Sequence, residues 1–339
     1  MIQTLLKKML AGQDLTHDEM HQAMRVLMTG KADDVQIAGF LTALSMKGET
    51  VDEIQAAAEI MRELSTKVPV MTCDQLVDPV GTGGTHSNVF NVSTASSIVA
   101  ACAGVQIAKH GSSAASSKSG SADLLKAAGV NLALNAQQMA QSIETFGIGF
   151  MFAPRLHSAM RHVIEVRKAL GIRTIFNLLG PLTNPSGAKC QVLGVFDKQW
   201  LRPLVDVCKG LGQHRVMALH SDDGLDEISI AASTTVIELH DNSIKEYRLH
   251  PRDYGICYNN IDEVRVNSAT ESLALILSAF SGETRAAFDM IVLNSAAIIY
   301  VAGLTDDFAT AVSKAREILY SGQAKDKLRA YADFTQSLH

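Results

Sequence analysis

Leu76-Val77-Asp78-Pro79-Val80-Gly81-Thr82-Gly83-Gly84-Thr85-His86-Ser87-Asn88-Val89-Phe90-Asn91-Val92-Ser93-Thr94 decides how the chain is read. The apolar run Leu76 to Val80 predicts a short buried strand, and Ala95 to Ala103 predicts a helix. Between them lie three glycines and a series of small hydroxyl and amide residues. Glycine lets backbone approach an anion closely, and the amides of a loop and helix N-terminus supply donors to it. No Gly-Lys-Ser/Thr follows, so this is not a Walker loop. His86 stands where a dinucleotide fingerprint needs its third glycine. The plain alternative is a tight strand-to-helix connection. The Asn91, Ser93 and Thr94 tail favours a phosphate or pyrophosphate cradle.

Downstream, short apolar runs alternate with helical stretches. Residues 105–108, 148–152, 191–196 and 215–220 predict strands. Residues 122–128, 158–170 and 201–211 predict helices between them. Such alternation implies an α/β fold with a mainly parallel central sheet covered on both faces. Residues 228–250 predict two or three further strands with a hairpin turn at Asp241-Asn242. Helices at about 269–280, 284–302 and 306–335 follow.

Upstream, residues 1 to about 65 read as a small all-helical domain. Thr16…Glu19 and Thr50…Glu53 have capping-box spacing, and Gly12, Gly30 and Gly48 suit helix ends. Met20, Met24, Leu27 and Met28 share one face, as do Ile37, Phe40, Leu41 and Leu44. The division expected is 1–70, joined by part of 165–190, and 71–339. An apolar face left over on the helical unit would suit a dimer.

The 339 residues carry a net charge of −5 with no basic block, which argues against nucleic acid or anionic membrane as the main partner. Five scattered cysteines without a CxxC pair predict reduced thiols in a cytoplasmic protein and no zinc site. No apolar stretch approaches the ~20 residues of a membrane span, and Lys7 and Lys8 break up any signal peptide.

Four more stretches carry chemistry. Lys109-His110-Gly111-Ser112-Ser113-Ala114-Ala115-Ser116-Ser117-Lys118-Ser119-Gly120-Ser121 combines two lysines with six serines directly after a strand. Flexible cations and hydroxyls suit several phosphate oxygens, and strand ends are where ligands of open α/β sheets collect. Pro154-Arg155-Leu156-His157, continuing to Arg167, puts His157 and Arg167 ten residues apart, nearly three helical turns, on one expected face. Arg167 could fork onto a carboxylate, or be a surface arginine. Asn177-Leu178-Leu179-Gly180-Pro181-Leu182-Thr183-Asn184-Pro185 reads first as a structural turn. Asp222, Asp223, Asp226 and Glu227 crowd one loop after a strand, a pattern that suits Mg²⁺ held together with substrate phosphates. An acidic surface turn is the alternative. Nothing forms a Ser-His-Asp arrangement, so the inventory favours loss of phosphate or pyrophosphate from a bound substrate with no covalent nucleophile.

These motifs closely resemble those of the anthranilate phosphoribosyltransferase family over nearly the whole chain. The carriers are Gly81-Thr82-Gly83-Gly84, Asn91 to Thr94, Lys109-His110-Gly111, Ser116 to Gly120, Phe152-Ala153-Pro154, Phe176 to Pro185 and Asp223 to Glu227. The resemblance implies two hinged domains, a homodimer through the helical ones, and Mg²⁺-dependent transfer of ribosyl phosphate from phosphoribosyl pyrophosphate to the amine of anthranilate. It implies that Gly81, Thr82, Gly83, Gly84, Asn91, Ser93, Thr94 and Lys109 hold the pyrophosphate and ribose. Ser117, Lys118, Ser119 and Gly120 would close over the sugar phosphate. Ser93, Asp226 and Glu227 would serve Mg²⁺. Arg167 would take the anthranilate carboxylate, with Gly81, Ser112, Pro154, His157 and Gly180 along its path. Thr85, Ser112 and Ser113 depart from the family's Asp, Asn and Arg. Loss of an acid at 85 together with a base at 113 reads as a compensated pair. Alternatives on the same fold are a paralogue using another aromatic amine, a nucleoside phosphorylase, or an idle homologue that binds nucleic acid.

Overall fold

The structure is a computed structural model that describes residues 1–71, 74–85, 87–114 and 118–338. It opens with four helices: α1 (Ile2–Leu10), α2 (His17–Met28), α3 (Asp34–Lys47) and α4 (Val51–Glu63). Their starts are capped as the spacing predicts. Glu19 N–H donates to Thr16 Oγ1 at 3.2 Å while Thr16 N–H donates to Glu19 Oε2 at 2.8 Å. Thr50 and Glu53 make the same exchange at α4. Glu53 is fully buried and also accepts from Leu15 N–H at 2.8 Å and Lys47 Nζ at 2.9 Å, so this box joins three segments of the bundle. Buried carboxylates need such partners.

Strand–helix alternation follows as β1 (Val77–Gly81), α5 (Val92–Cys102), β2 (Ile107–Gly111), α6 (Ser121–Ala127), α7 (Ala136–Phe146) and β3 (Ile148–Phe152). Next come α8 (Ala153–Leu156), a 3₁₀ turn at Ser158–His162, α9 (Ile164–Leu170), α10 (Phe176–Leu179), β4 (Cys190–Gly194) and α11 (Leu201–Gly210). The chain then forms β5 (Arg215–Ser221), β6 (Thr234–His240) and β7 (Ser243–Leu249), and finishes with α12 (Ala269–Phe280), α13 (Arg285–Val301), α14 (Phe308–Tyr320) and α15 (Gln323–Ser337).

Among the described residues, seven strands make one sheet in the order β3-β2-β1-β4-β5-β6-β7. The first five run parallel and the last two antiparallel, with Asp241 at φ 49 in the β6–β7 turn. Strand order reverses between β1 and β4, the place where open α/β sheets bind ligands at their carboxyl edge.

Alternate side chains of the strands feed two large cores, and a smaller cluster gathers Leu76, Ala108 and Met151 against Met139 and Ile143 of α7. Val77, Val192, Met217 and Val236 face α5 and α12 to α15. Leu193, Val216, Ala218 and Ile237 face α11, and this second core runs on through α2, α3 and α4. Val163, Val166, Ile175, Phe176 and Leu179 return to complete that core.

Two helix expectations fail. Residues 158–170 are not one helix: the 3₁₀ turn ends at Val163 (φ −122) before α9 begins. The break sends Val163 into the helical core, and His157 and Arg167 do not share a helical face. The final stretch is two helices, because Gly322 adopts a left-handed φ of 76 between α14 and α15.

Candidate active site

A cleft of about 360 Å³ opens at the carboxyl ends of the strands, between the β1–α5 turn, the β2–α6 loop and the loop after β5. At its floor, Lys109 projects from β2, almost wholly buried. Its ammonium donates to the Pro79 carbonyl at 2.6 Å and to Ser93 Oγ at 3.1 Å. Burial lowers its pKa, opposed by the charges of Asp78 and Glu227. Glu227 is pushed upward by burial and then by Asp226 beside it, with Lys109 and the Ser93 amide opposing. Asp226 is raised by burial too, and accepts from Thr85 Oγ1 at 3.3 Å. Two half-buried carboxylates beside one buried ammonium strongly prefer an added cation or a charged substrate to being left alone.

Glycines permit this crowding. A Cβ on Gly194 would sit 2.0 Å from the Asp226 carbonyl oxygen, and one on Gly81 would sit 2.9 Å from Asp226 Oδ2. Alanine at 194 displaces the acidic loop itself, and alanine at 81 pushes the Asp226 carboxylate aside.

The helix start at α5 is braced from two sides. Asn91 Nδ2 donates to the Ser119 carbonyl at 3.1 Å, and Ser119 Oγ donates back to Asn91 Oδ1 at 2.7 Å. Ser272 Oγ, from α12, donates to the same Oδ1 at 2.8 Å and accepts from Asn91 N–H at 3.0 Å. The β2–α6 loop, the α5 N-terminus and α12 are thus one network.

A second polar chain lies behind the cleft. Gly180 O can only accept, so His110 Nδ1, 3.2 Å away, carries the proton. His110 Nε2 is then an acceptor for His157 Nε2–H at 3.1 Å, which leaves His157 Nδ1 bare. Burial first, and His157 second, hold His110 down at about 3. Burial, with Lys67 nearby, holds His157 at about 4.

Of the residues singled out in the sequence, Gly81, Thr82, Gly83, Gly84, Asn91, Ser93, Lys109, Ser112, Ser119, Gly120, Asp226 and Glu227 line the cleft together. Thr94 does not: its buried hydroxyl has no partner among the described residues and the side chain faces α6 and α12, so only its backbone belongs to the turn. Lys118 is exposed at the loop rim. Ser117 lies outside the described residues. Pro154, His157, Arg167 and Gly180 do not line this cleft; His157 and Gly180 reach it through His110. Arg167 stacks its guanidinium 4.9 Å from the Phe176 ring centre. Thr85 and Ser113 both line the cleft, but the Thr85 hydroxyl turns to Asp226 and to Ser87, 3.1 Å away. Of the remaining acids, Asp222 pairs with Arg248 and Asp223 accepts from Ser229 Oγ at 2.6 Å, so the acidic loop is half structural.

Sequence reading missed Ser272 and gave His110 and Asn177 no role. Ser272 is an ordinary helix serine with no local signal. His110 sits inside a quoted motif, and an isolated His beside a Lys at a strand end could have marked it.

Known proteins match both parts of the chain. Residues 3–65 match "Glycosyl transferase family, helical bundle domain", and residues 73–325 match "Glycosyl transferase family, a/b domain". Fold and cleft therefore define a glycosyl transferase of the helical-bundle plus α/β type. Anthranilate phosphoribosyltransferase of Marinomonas sp. is 51% identical over 98% of this chain and 97% of its own. The Thermus thermophilus enzyme structure is similar with a TM-score of 0.92 and 40% identity, covering 98% of this chain and 99% of that one. The Saccharomyces cerevisiae enzyme, solved with PRPP and Mg, has a TM-score of 0.90 at 28% identity, covering 99% and 98%. The chain belongs to the anthranilate phosphoribosyltransferase family. Among the described residues, no single helix is long and apolar enough to cross a membrane.

Proposed function

We propose that this chain transfers the 5-phosphoribosyl group of phosphoribosyl pyrophosphate to the amine of anthranilate, releasing pyrophosphate, in tryptophan biosynthesis in the cytoplasm. The observation that carries this is the cleft itself. Buried Lys109, the amides of the glycine turn and α5, and the Asp226–Glu227 pair converge where the sheet order reverses.

Mg²⁺ fits the residues present. Among the described residues, no three His, Cys, Asp or Glu side chains cluster to hold a metal alone. Two half-buried carboxylates and the Ser93 hydroxyl match a cation that takes most of its oxygens from substrate phosphates and water. When bound, Mg²⁺ neutralises charge developing on the leaving pyrophosphate. Lys109 holds a cation beside the same charge at fixed distance from Ser93, and a preorganised donor costs no rearrangement as the reaction proceeds. Gly81, Thr82, Gly83, Gly84 and Asn91 bind pyrophosphate and ribose by backbone and amide donors. Ser117, Lys118, Ser119 and Gly120 cover the sugar phosphate and keep water out. Arg167 takes the anthranilate carboxylate, with Ser112, Pro154, His157 and Gly180 along the acceptor path. No side chain need become covalently bound, since positioning two reactants accounts for much of such catalysis.

A second copy of the chain covers an apolar groove of about 1050 Å³ on α1, α3 and α9. Leu10, Val35 and Met46 there are 73%, 82% and 80% exposed, a contiguous apolar surface that a lone chain seldom leaves open. The helical unit is 1–70 with part of 165–190, and the α/β unit 71–339.

The test is anthranilate fluorescence in the presence of phosphoribosyl pyrophosphate and Mg²⁺. Time-dependent loss requiring both additions is expected. No loss with well-folded protein, alongside turnover of another aromatic amine, would overturn the acceptor assignment.

A further inference from the structure

Arg173 lies between α9 and α10, outside the residues given roles above. Its Nη2 donates to the Gly84 carbonyl at 2.8 Å, and its guanidinium sits 4.1 Å from the Phe196 ring centre. Its own carbonyl accepts from Ser45 Oγ of α3 at 3.2 Å. Phe196 is fastened to the same glycine turn, because its N–H donates to Thr82 Oγ1 at 2.9 Å and Thr82 N–H donates to the Gly194 carbonyl at 2.9 Å. The turn is therefore gripped at its root by β4 and at its tip by Arg173.

The grip has a direction. A trans peptide is planar, so its C=O and N–H point opposite ways. Gly84 and Thr85 line the cleft and Arg173 does not. Drawing the Gly84 carbonyl out to Arg173 turns the Thr85 N–H inward. Gly83 and Gly84 at φ 67 and 85 make that orientation accessible but do not enforce it, since glycine has many other conformations. A cation stacked on an aromatic ring and bonded to a carbonyl selects one.

We propose that Arg173 is a positioning residue for the donor substrate. It holds the Gly84–Thr85 peptide with its amide facing the diphosphate group, and ties that amide to α3 and to the segment running from Arg167 to Asn177. The proposal rests on the donor reading of the cleft.

The test compares Arg173→Ala, Arg173→Lys and Phe196→Leu. Each is followed by steady-state kinetics, thermal melting, and calorimetric titration of pyrophosphate with Mg²⁺ into the full chain. Arg173→Ala should raise KM for phosphoribosyl pyrophosphate and the pyrophosphate Kd about tenfold. The kcat and the KM for anthranilate should change less than about twofold. Arg173→Lys can still donate to one carbonyl and should recover most of the loss, and Phe196→Leu should fall between. Equal rises in both KM values, a lysine variant no better than alanine, or a lowered melting temperature with unchanged Kd would each overturn the role. If the unaltered chain binds no pyrophosphate, the donor reading itself fails and this inference with it.

Discussion

Acidifying the protein tests the His110–His157 chain most directly. Both rings are neutral in the fold, held at about 3 and about 4 against an ordinary value of 6.5. The unfolded chain takes up two protons as pH falls through 6.5, and the folded chain does not. Stability from these rings is thus complete above 6.5 and declines as pH drops toward 4 and then 3. At pH 5, about 1.5 pH units below 6.5, each ring costs about 2 kcal/mol at ~1.36 kcal/mol per unit, or about 4 kcal/mol together. That is a large share of the ~5–15 kcal/mol a native protein has. Asp78, raised by burial to about 7, acts in the opposite direction. It gains stability as pH falls, so the raw slope mixes several groups.

A variant separates them. The His157→Gln amide still donates to His110 Nε2 but cannot titrate. Urea unfolding followed by the single tryptophan, Trp200, would be measured at pH 7.5 and pH 5 for both proteins. The change in packing appears at both pH values and cancels in the difference. His157→Gln should lose about 2 kcal/mol less than the unaltered chain between the two pH values, and His110→Gln/His157→Gln about 4 kcal/mol less. Identical pH losses in all three proteins would refute the neutral, fixed-tautomer chain.

Replacing Asp226 and Glu227 together by alanine should lower turnover roughly 10²-fold or more, the scale of lost charge stabilisation in a transition state. Far-UV circular dichroism checks that the fold survives, and unchanged turnover would remove the metal assignment. Arg167→Lys keeps charge but loses the planar fork, so initial-rate kinetics should show KM for anthranilate rising far more than KM for phosphoribosyl pyrophosphate. Ser112→Asn should lower the anthranilate KM about tenfold by restoring roughly 1–2 kcal/mol of hydrogen bonding. Val35→Glu places a charge in the apolar groove and should shift sedimentation from dimer to monomer without changing the melting profile of the isolated chain.

The parts legible in the sequence are those governed by local rules. The capping boxes at Thr16 and Thr50 form because hydroxyl and carboxylate satisfy amides only a turn away. The glycine turn is legible because strand, turn and helix signals are consecutive. The cleft's two sides were readable as motifs, but their meeting at Lys109 depends on β1 and β2 being neighbours in the sheet. The Val163 break left no signal, since a buried valine reads the same in a straight helix as at a kink. Thr94 misled because the helix rotates it away from Ser93 by about 100°, at 3.6 residues per turn. Ser272 and Arg173 stayed hidden for a different reason: their partners, Asn91 and Gly84, lie 181 and 89 residues away.

The second core joins α2, α3 and α4 to residues 163–182, α11 and one face of the sheet. During synthesis this sets an order of completion. The first four helices leave the ribosome early, but the residues that seal their apolar faces arrive only once Gly210 has been made. At ~5–20 residues per second, about 150 residues of elongation separate the end of α4 from its seal, a wait of roughly 7–30 seconds. Through that interval the nascent bundle presents the empty seats of Leu201, Leu204 and Cys208 to solvent, and chaperone occupancy on stalled chains should fall sharply once α11 has emerged.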